Sequence, residues 1–136
     1  MKKIICSLLG IMAGLSSTLV IAGAYTTGYS IKLCYSNCGQ HMGDAALRCD
    51  FNYSDGNWVE ADKVSVFFDA DSNYNYSAYF DDIRKSEGAS GTDAFASSEY
   101  YVSDGVCHEY GILSVSCDIY GETTDNGYVY NRGCNH

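Results

Sequence analysis

The sequence predicts a mainly β fold, a small disulfide-stapled antiparallel sandwich or barrel with one short helix near residues 78–85. Three observations carry that prediction. Apolar and polar residues alternate with a period of two over several short runs, each bounded by Gly, Asn, Asp or Ser. Six of the seven cysteines lie beyond the N-terminal apolar run. A cysteine-led pattern also occurs twice, as Cys38, Cys49-Asp50, Phe51, Asp55-Gly56-Asn57 and Trp58-Val59, then as Cys107, Cys117-Asp118, Ile119, Asp125-Asn126-Gly127 and Tyr128-Val129. The second cysteine of each pair leads a strand into a tight turn, which describes a stapled hairpin written twice.

In order along the chain, Met1-Lys2-Lys3 is a basic start, Ile4 to Met12 an apolar run, and Ala22-Gly23-Ala24 the small-residue ending a signal peptidase cuts. Residues 1–24 are therefore expected to be a cleaved signal peptide, with a retained membrane anchor as the alternative. Residues 25–136 then form a single secreted or periplasmic β domain with two hairpin-type halves, about 25–70 and 98–136. Removing Lys2 and Lys3 leaves six basic residues against 17 acidic ones, a net charge of −11. Such a chain repels nucleic-acid phosphates and anionic membrane surfaces, so neither is an expected partner after signal cleavage. A neutral or basic protein is. The charge also keeps a small exported protein soluble whatever it binds.

Tyr29, Ile31, Leu33 and Tyr35 alternate with Ser30, Lys32, Cys34 and Ser36, a strand with one apolar face. Leu47, Cys49, Phe51 and Tyr53 alternate again, Asp55-Gly56-Asn57 supplies a hairpin turn, and Val64 to Phe68 is a third strand. Ser77 is positioned to cap a helix from Ala78 to Lys85, with acids early, bases late and Gly88 beyond the end. Tyr79, Phe80 and Ile83 would share its packed face. Glu87 to Ser98, made of small and polar residues around Phe95, reads as a surface loop. Tyr100 to Val102, Leu113 to Ile119 and Tyr128 to Tyr130 complete the strands. With no proline in the chain, Gly, Asn, Asp and Ser must make every turn.

Cys34, Cys38, Cys49, Cys107, Cys117 and Cys134 remain after cleavage, an even number in an oxidising compartment. The pairing expected is Cys38 with Cys49, Cys107 with Cys117 and Cys34 with Cys134, each short-loop bridge worth roughly 3 kcal/mol. Zinc is the rival use, through Cys38-x-x-His41, Cys107-His108 and Cys134-x-His136, but none of these has paired C-x-x-C spacing.

Asp69, Asp71, Asn73 and Asn75 place oxygen-bearing side chains at alternate positions, which suits a cation that takes six to eight oxygen ligands. Over these nine residues, Asp69 to Ser77, the stretch resembles an EF-hand-type loop, and the resemblance implies calcium as a candidate cofactor. Tyr74 stands at position six instead of glycine, and Phe80 at position twelve instead of glutamate. An acidic solvated turn is the alternative. Tyrosine is in excess, with 13 in the chain. Trp58, Tyr74, Tyr76 and Tyr79 are the candidate binding surface, since exposed aromatic rings give rigid amphipathic contact area, although Tyr also simply favours strands.

No catalytic residue is assigned and no enzyme is expected: the chain has no G-x-S-x-G elbow, H-E-x-x-H or phosphate-cradling loop. The best acid–base set would be His108 with Glu109 or Glu60, steadied by Arg84, the group types of a small secreted hydrolase or nuclease. The function expected is a binding protein docking on another extracellular or periplasmic protein, as an adhesin subunit, inhibitor or immunity-type partner does. A glycan-binding module, calcium-assisted or not, is the alternative. Salt separates them, because a basic protein partner is salt-sensitive and ring stacking on sugar is not.

Overall fold

The computed structural model describes residues 23–71 and 77–134. Among the described residues the chain forms eight strands: β1 (Ala24–Tyr35), β2 (His41–Ser54), β3 (Trp58–Ala70), β4 (Ser77–Lys85), β5 (Asp93–Ser103), β6 (Cys107–Asp118), β7 (Thr123–Asp125) and β8 (Tyr128–Cys134). All pairing is antiparallel, in two sheets, β1-β2-β3 and β4-β5-β6 with β7 and β8 both on β6. Val115 pairs with Asp125 and Ile112 with Tyr128 in one continuous register, so β7 and β8 are a single partner of β6 interrupted at Asn126-Gly127. β1 lies over β6 and β7, β2 over β5 and β6, and β3 over β4 and β5. This is a sandwich whose barrel is not closed.

Pleating sends alternate side chains into the space between the sheets. Ala45, Leu47, Cys49 and Phe51 of β2 meet Ala94, Ala96, Tyr100 and Val102 of β5 and Leu113, Val115 and Cys117 of β6 in one core, joined by Val59 and Ala61 of β3. Beyond a register shift at Cys49/Phe51, Val64, Val66 and Phe68 continue it. Many of these residues are small, so the sheets approach closely. A Cβ on Gly28 would lie 2.8 Å from Val115 Cγ2 and 3.0 Å from Thr123 Cγ2.

Side chains lace the open edges. At the β1 edge Asp125 accepts from Ser30 Oγ (2.6 Å), the Ile31 amide (3.0 Å) and the Gly127 amide (2.9 Å), while Ser30 Oγ accepts from the Ser114 amide. At the opposite edge Lys85 Nζ donates to the Asp62 carbonyl (2.7 Å), and Val59 and Ser90 exchange backbone bonds. Backbone groups that an open sheet leaves free at its rim are partly satisfied this way.

Four expectations are corrected. Residues 78–85 are strand β4, with no helix among the described residues: Ser77 pairs with Ser103 and Phe80 with Tyr100, which puts Tyr79 and Phe80 on opposite faces. Pairing along β5 outweighs the capping signal. Glu87 to Ser98 is not a loop throughout, because β5 begins at Asp93 and buries Ala94, Ala96 and Ser98; its period of two is written in small residues. The second hairpin turns at Tyr120-Gly121, where Gly121 (φ 83°) donates to the Asp118 carbonyl, and not at Asp125-Asn126-Gly127.

The fourth correction is the disulfide pairing. Cys107 is bonded to Cys134, opposite it in the β6–β8 ladder. Cys107 and Cys117 stand at the two ends of one strand, roughly 33 Å apart at the rise of a β-strand, and cannot meet. Cys38 lies in the β1–β2 turn and Cys49 eight residues into β2, roughly 25 Å along it. Cys34, Cys38, Cys49 and Cys117 are free thiols, of which Cys38 alone is exposed.

A line of tyrosines on the outer face of the larger sheet

The outward positions of β4, β5 and β6 are fixed by the same alternation that builds the core. Tyr79 is paired with Tyr101, and Tyr101 with Tyr110, so three phenol rings stand in register across three strands. A register shift between Tyr110 and Gly111 then brings Tyr130 of β8 alongside. Its ring stacks on Tyr110 with centroids 5.3 Å apart and planes 14° from parallel, and Tyr128 meets it edge-on at 5.0 Å. The Tyr128 hydroxyl donates to the Tyr130 hydroxyl at 3.0 Å. His108, one step along, stacks on Tyr101 at 5.8 Å. Three strand spacings make this line roughly 15 Å long.

The rings are open to solvent: Tyr79 is 64% exposed and Tyr130 57%. The neighbouring row carries Asp81 and Glu99, paired with each other across β4 and β5, then Ile112 and Tyr128. Burial and then the Glu99 carboxylate push the Tyr110 phenol up from its usual value. Like charges directly opposite, as Asp81 and Glu99 are, disfavour the sheet. A cation placed between them would relieve that repulsion.

Behind the face lies a carboxylate that is wholly buried. Glu109 points inward, where its Oε2 accepts from the Tyr100 hydroxyl (2.6 Å) and its Oε1 from the Tyr35 amide (3.0 Å) and Arg132 Nε (2.6 Å). It joins β1, β5, β6 and β8, and no buried side-chain nitrogen or oxygen among the described residues lacks a partner. The arrangement is a satisfied structural network.

Of the residues singled out from sequence, Tyr79 lies in the tyrosine line. Trp58 does not: it is half-buried at the start of β3, at the hairpin-turn end of the other sheet. Tyr74 and Tyr76 lie outside the described residues, as do Asn73, Asn75 and His136. Asp69 is exposed at the end of β3, and Asp71 accepts from His41 Nδ1 at 3.0 Å while His41 Nε2 contacts Asp44 at 2.8 Å. Among the described residues no cluster of three or more His, Cys, Asp and Glu suits a metal ion. The acid–base set does not converge. His108 and Glu109 are neighbours on β6 and face opposite ways, and Arg84 is paired with Asp82.

Tyr101, Tyr110, Tyr128 and Tyr130 were missed as a surface because their proximity depends on strand register. The available signal was the strand alternation itself, which separates Tyr100, inward, from Tyr101, outward. No protein family, no characterised protein and no solved structure matches this chain. No described helix is long and apolar enough to cross a membrane. The disulfide between Cys107 and Cys134 is of the kind that persists in oxidising compartments.

Proposed function

We propose that this chain is a binding protein that docks a neutral or basic extracellular or periplasmic protein on the outer face of β4, β5, β6 and β8. One observation carries the reading: the Tyr79-Tyr101-Tyr110-Tyr130 line stands beside the facing carboxylates of Asp81 and Glu99. Phenol faces attract guanidinium and ammonium groups, and rigid rings lose little entropy on contact. The carboxylates favour the same cations and oppose acidic partners. Glycan binding is the second reading, supported by the exposure of the same rings, which would stack on sugar faces without help from charge.

The test is NMR titration of the protein with an Arg/Lys-rich peptide and, separately, with neutral oligosaccharides, each at low and high salt. Shifts concentrated on Tyr79, Tyr101, Tyr110 and Tyr130 with the peptide, weakened by salt and lost in Tyr101→Ser/Tyr130→Ser, support protein docking. Salt-insensitive shifts with sugar alone favour the glycan reading. Perturbation elsewhere, or none, rejects both.

A further inference from the structure

The outer face of the β1-β2-β3 sheet is also apolar, and it arises from an inversion. In β1 Gly28, Ser30 and Cys34 are buried and Lys32 of the same row half-buried, while Tyr29 (46%), Ile31 (45%) and Leu33 (53%) on the other face are exposed. The apolar face expected of this strand is thus turned away from the core. Register carries the row across the sheet: Ile31 pairs with Ala46, which is buried, and Ala46 with Phe67, itself 49% exposed. The row on one side is Leu33, Asp44 and Asp69. The row on the other is Tyr29, Arg48 and Ser65.

That layout is self-complementary. A two-fold axis lying along the Ile31-Ala46-Phe67 row sets each strand against its own copy and exchanges the two flanking rows. Asp44 then faces Arg48 of the second copy, and Leu33 faces its Tyr29. Both charged groups are accessible, Asp44 at 41% and Arg48 at 44%, although each also has a partner within the chain, His41 for Asp44 and Asp50 for Arg48. Elsewhere a chain with net charge −9 repels its own copy, whereas this face opposes unlike charges.

We propose that the outer face of β1-β2-β3 is the interface of a two-fold homodimer, with Ile31 and Phe67 at its centre and reciprocal Asp44–Arg48 pairs on either side. This rests on a different sheet from the tyrosine line and stands independently of it. The test is the mass of the purified protein in solution by sedimentation equilibrium. The expected result is a reversible dimer that becomes a monomer in Ile31→Asp and in Phe67→Asp, with circular dichroism unchanged because both sites are exposed. Arg48→Asp should weaken association by about tenfold or more, and adding Asp44→Arg should restore it. A wild-type monomer up to millimolar concentration, or a dimer indifferent to folded Ile31→Asp, overturns the interface. Failure of the charge reversal to restore association overturns the two-fold pairing.

Discussion

The Tyr100 hydroxyl donates to Glu109 Oε2 at 2.6 Å on the buried face of the larger sheet, tying the adjacent strands β5 and β6 through their side chains. The phenol reaches the carboxylate because Tyr100 is paired with Gly111, over which its ring lies. A tyrosine covering a cross-strand glycine is a known device of designed sheets, where it compensates for the missing side chain. Here it also delivers a donor to a buried anion.

Tyr100→Phe keeps the ring and removes the donor, leaving one buried carboxylate oxygen short of a partner. The expected loss is about 1.5–3 kcal/mol, read as a lower urea midpoint at unchanged slope. Arg132→Ala should cost about 3 kcal/mol, since it strips the neutralising charge from a fully buried carboxylate.

Gly111→Ala adds a Cβ that would lie 2.8 Å from Tyr100 Cε1 and collide with the Tyr128 carbonyl. Crowding of this kind costs about 1–3 kcal/mol. The same denaturation measurement should show the loss shrinking when Tyr100 is Leu, because one of the two colliding groups is gone.

Asp125 gives the fold an acid-sensitive edge. Burial alone would raise its pKa, but hydrogen bonds from Ser30, Gly127 and Ile31, with Lys32 nearby, hold it below the ordinary value of 3.8. Its stabilisation is therefore complete above the unfolded-state value and is lost as pH falls through the depressed folded one. Denaturation curves of wild type and Asp125→Asn should differ by a constant amount above about pH 4.5 and converge in stronger acid.

His41 acts in the opposite direction. Hydrogen bonds to Asp44 first and Asp71 second raise its pKa above 6.5. The protonated ring stabilises the fold below that unfolded-state value, and the contribution disappears as pH rises through the raised one. Ring-proton NMR should place the His41 midpoint above 6.5, and Asp44→Asn should lower it.

The thiols should react unequally. Burial raises Cys49 to about 12 and Cys117 to about 11, and burial together with Glu109 raises Cys34 further. Iodoacetamide on the native protein should label Cys38 alone among the four free thiols, as read by peptide mapping. Labelling of Cys107 or Cys134 without reductant would contradict their bond.

The β class, the Asp55-Gly56-Asn57 hairpin and the strands at Val64–Phe68 and Leu113–Ile119 were legible because β-branched and aromatic residues alternate there between clear turn residues. β5 was not, since Ala94, Ala96 and Ser98 carry no hydrophobic signal, yet they suit a position where sheets come close. β1 misled in the other direction, its Ile31 and Leu33 facing out. β4 offered helix-type charges and a cap within a segment whose conformation is settled by a partner strand. The tyrosine line is half legible: tyrosine abundance points to an aromatic surface, but of Trp58, Tyr74, Tyr76 and Tyr79 only Tyr79 falls in the line, because Tyr101, Tyr110 and Tyr130 meet through register. Disulfide pairing was not legible, as it depends on which strand ends coincide.

Among the described residues the chain crosses from one sheet to the other once, between Ala70 and Ser77, and apart from the single Val59–Ser90 bridge every hydrogen-bonded ladder joins strands adjacent in sequence or sets β7 and β8 on β6. The molecule is thus divisible at a single peptide position into two polypeptides, each carrying a whole sheet and one half of the core. Such pieces are natural candidates for reassembly from separate chains, and fusing them to two other proteins would make their recombination report on whether those proteins meet.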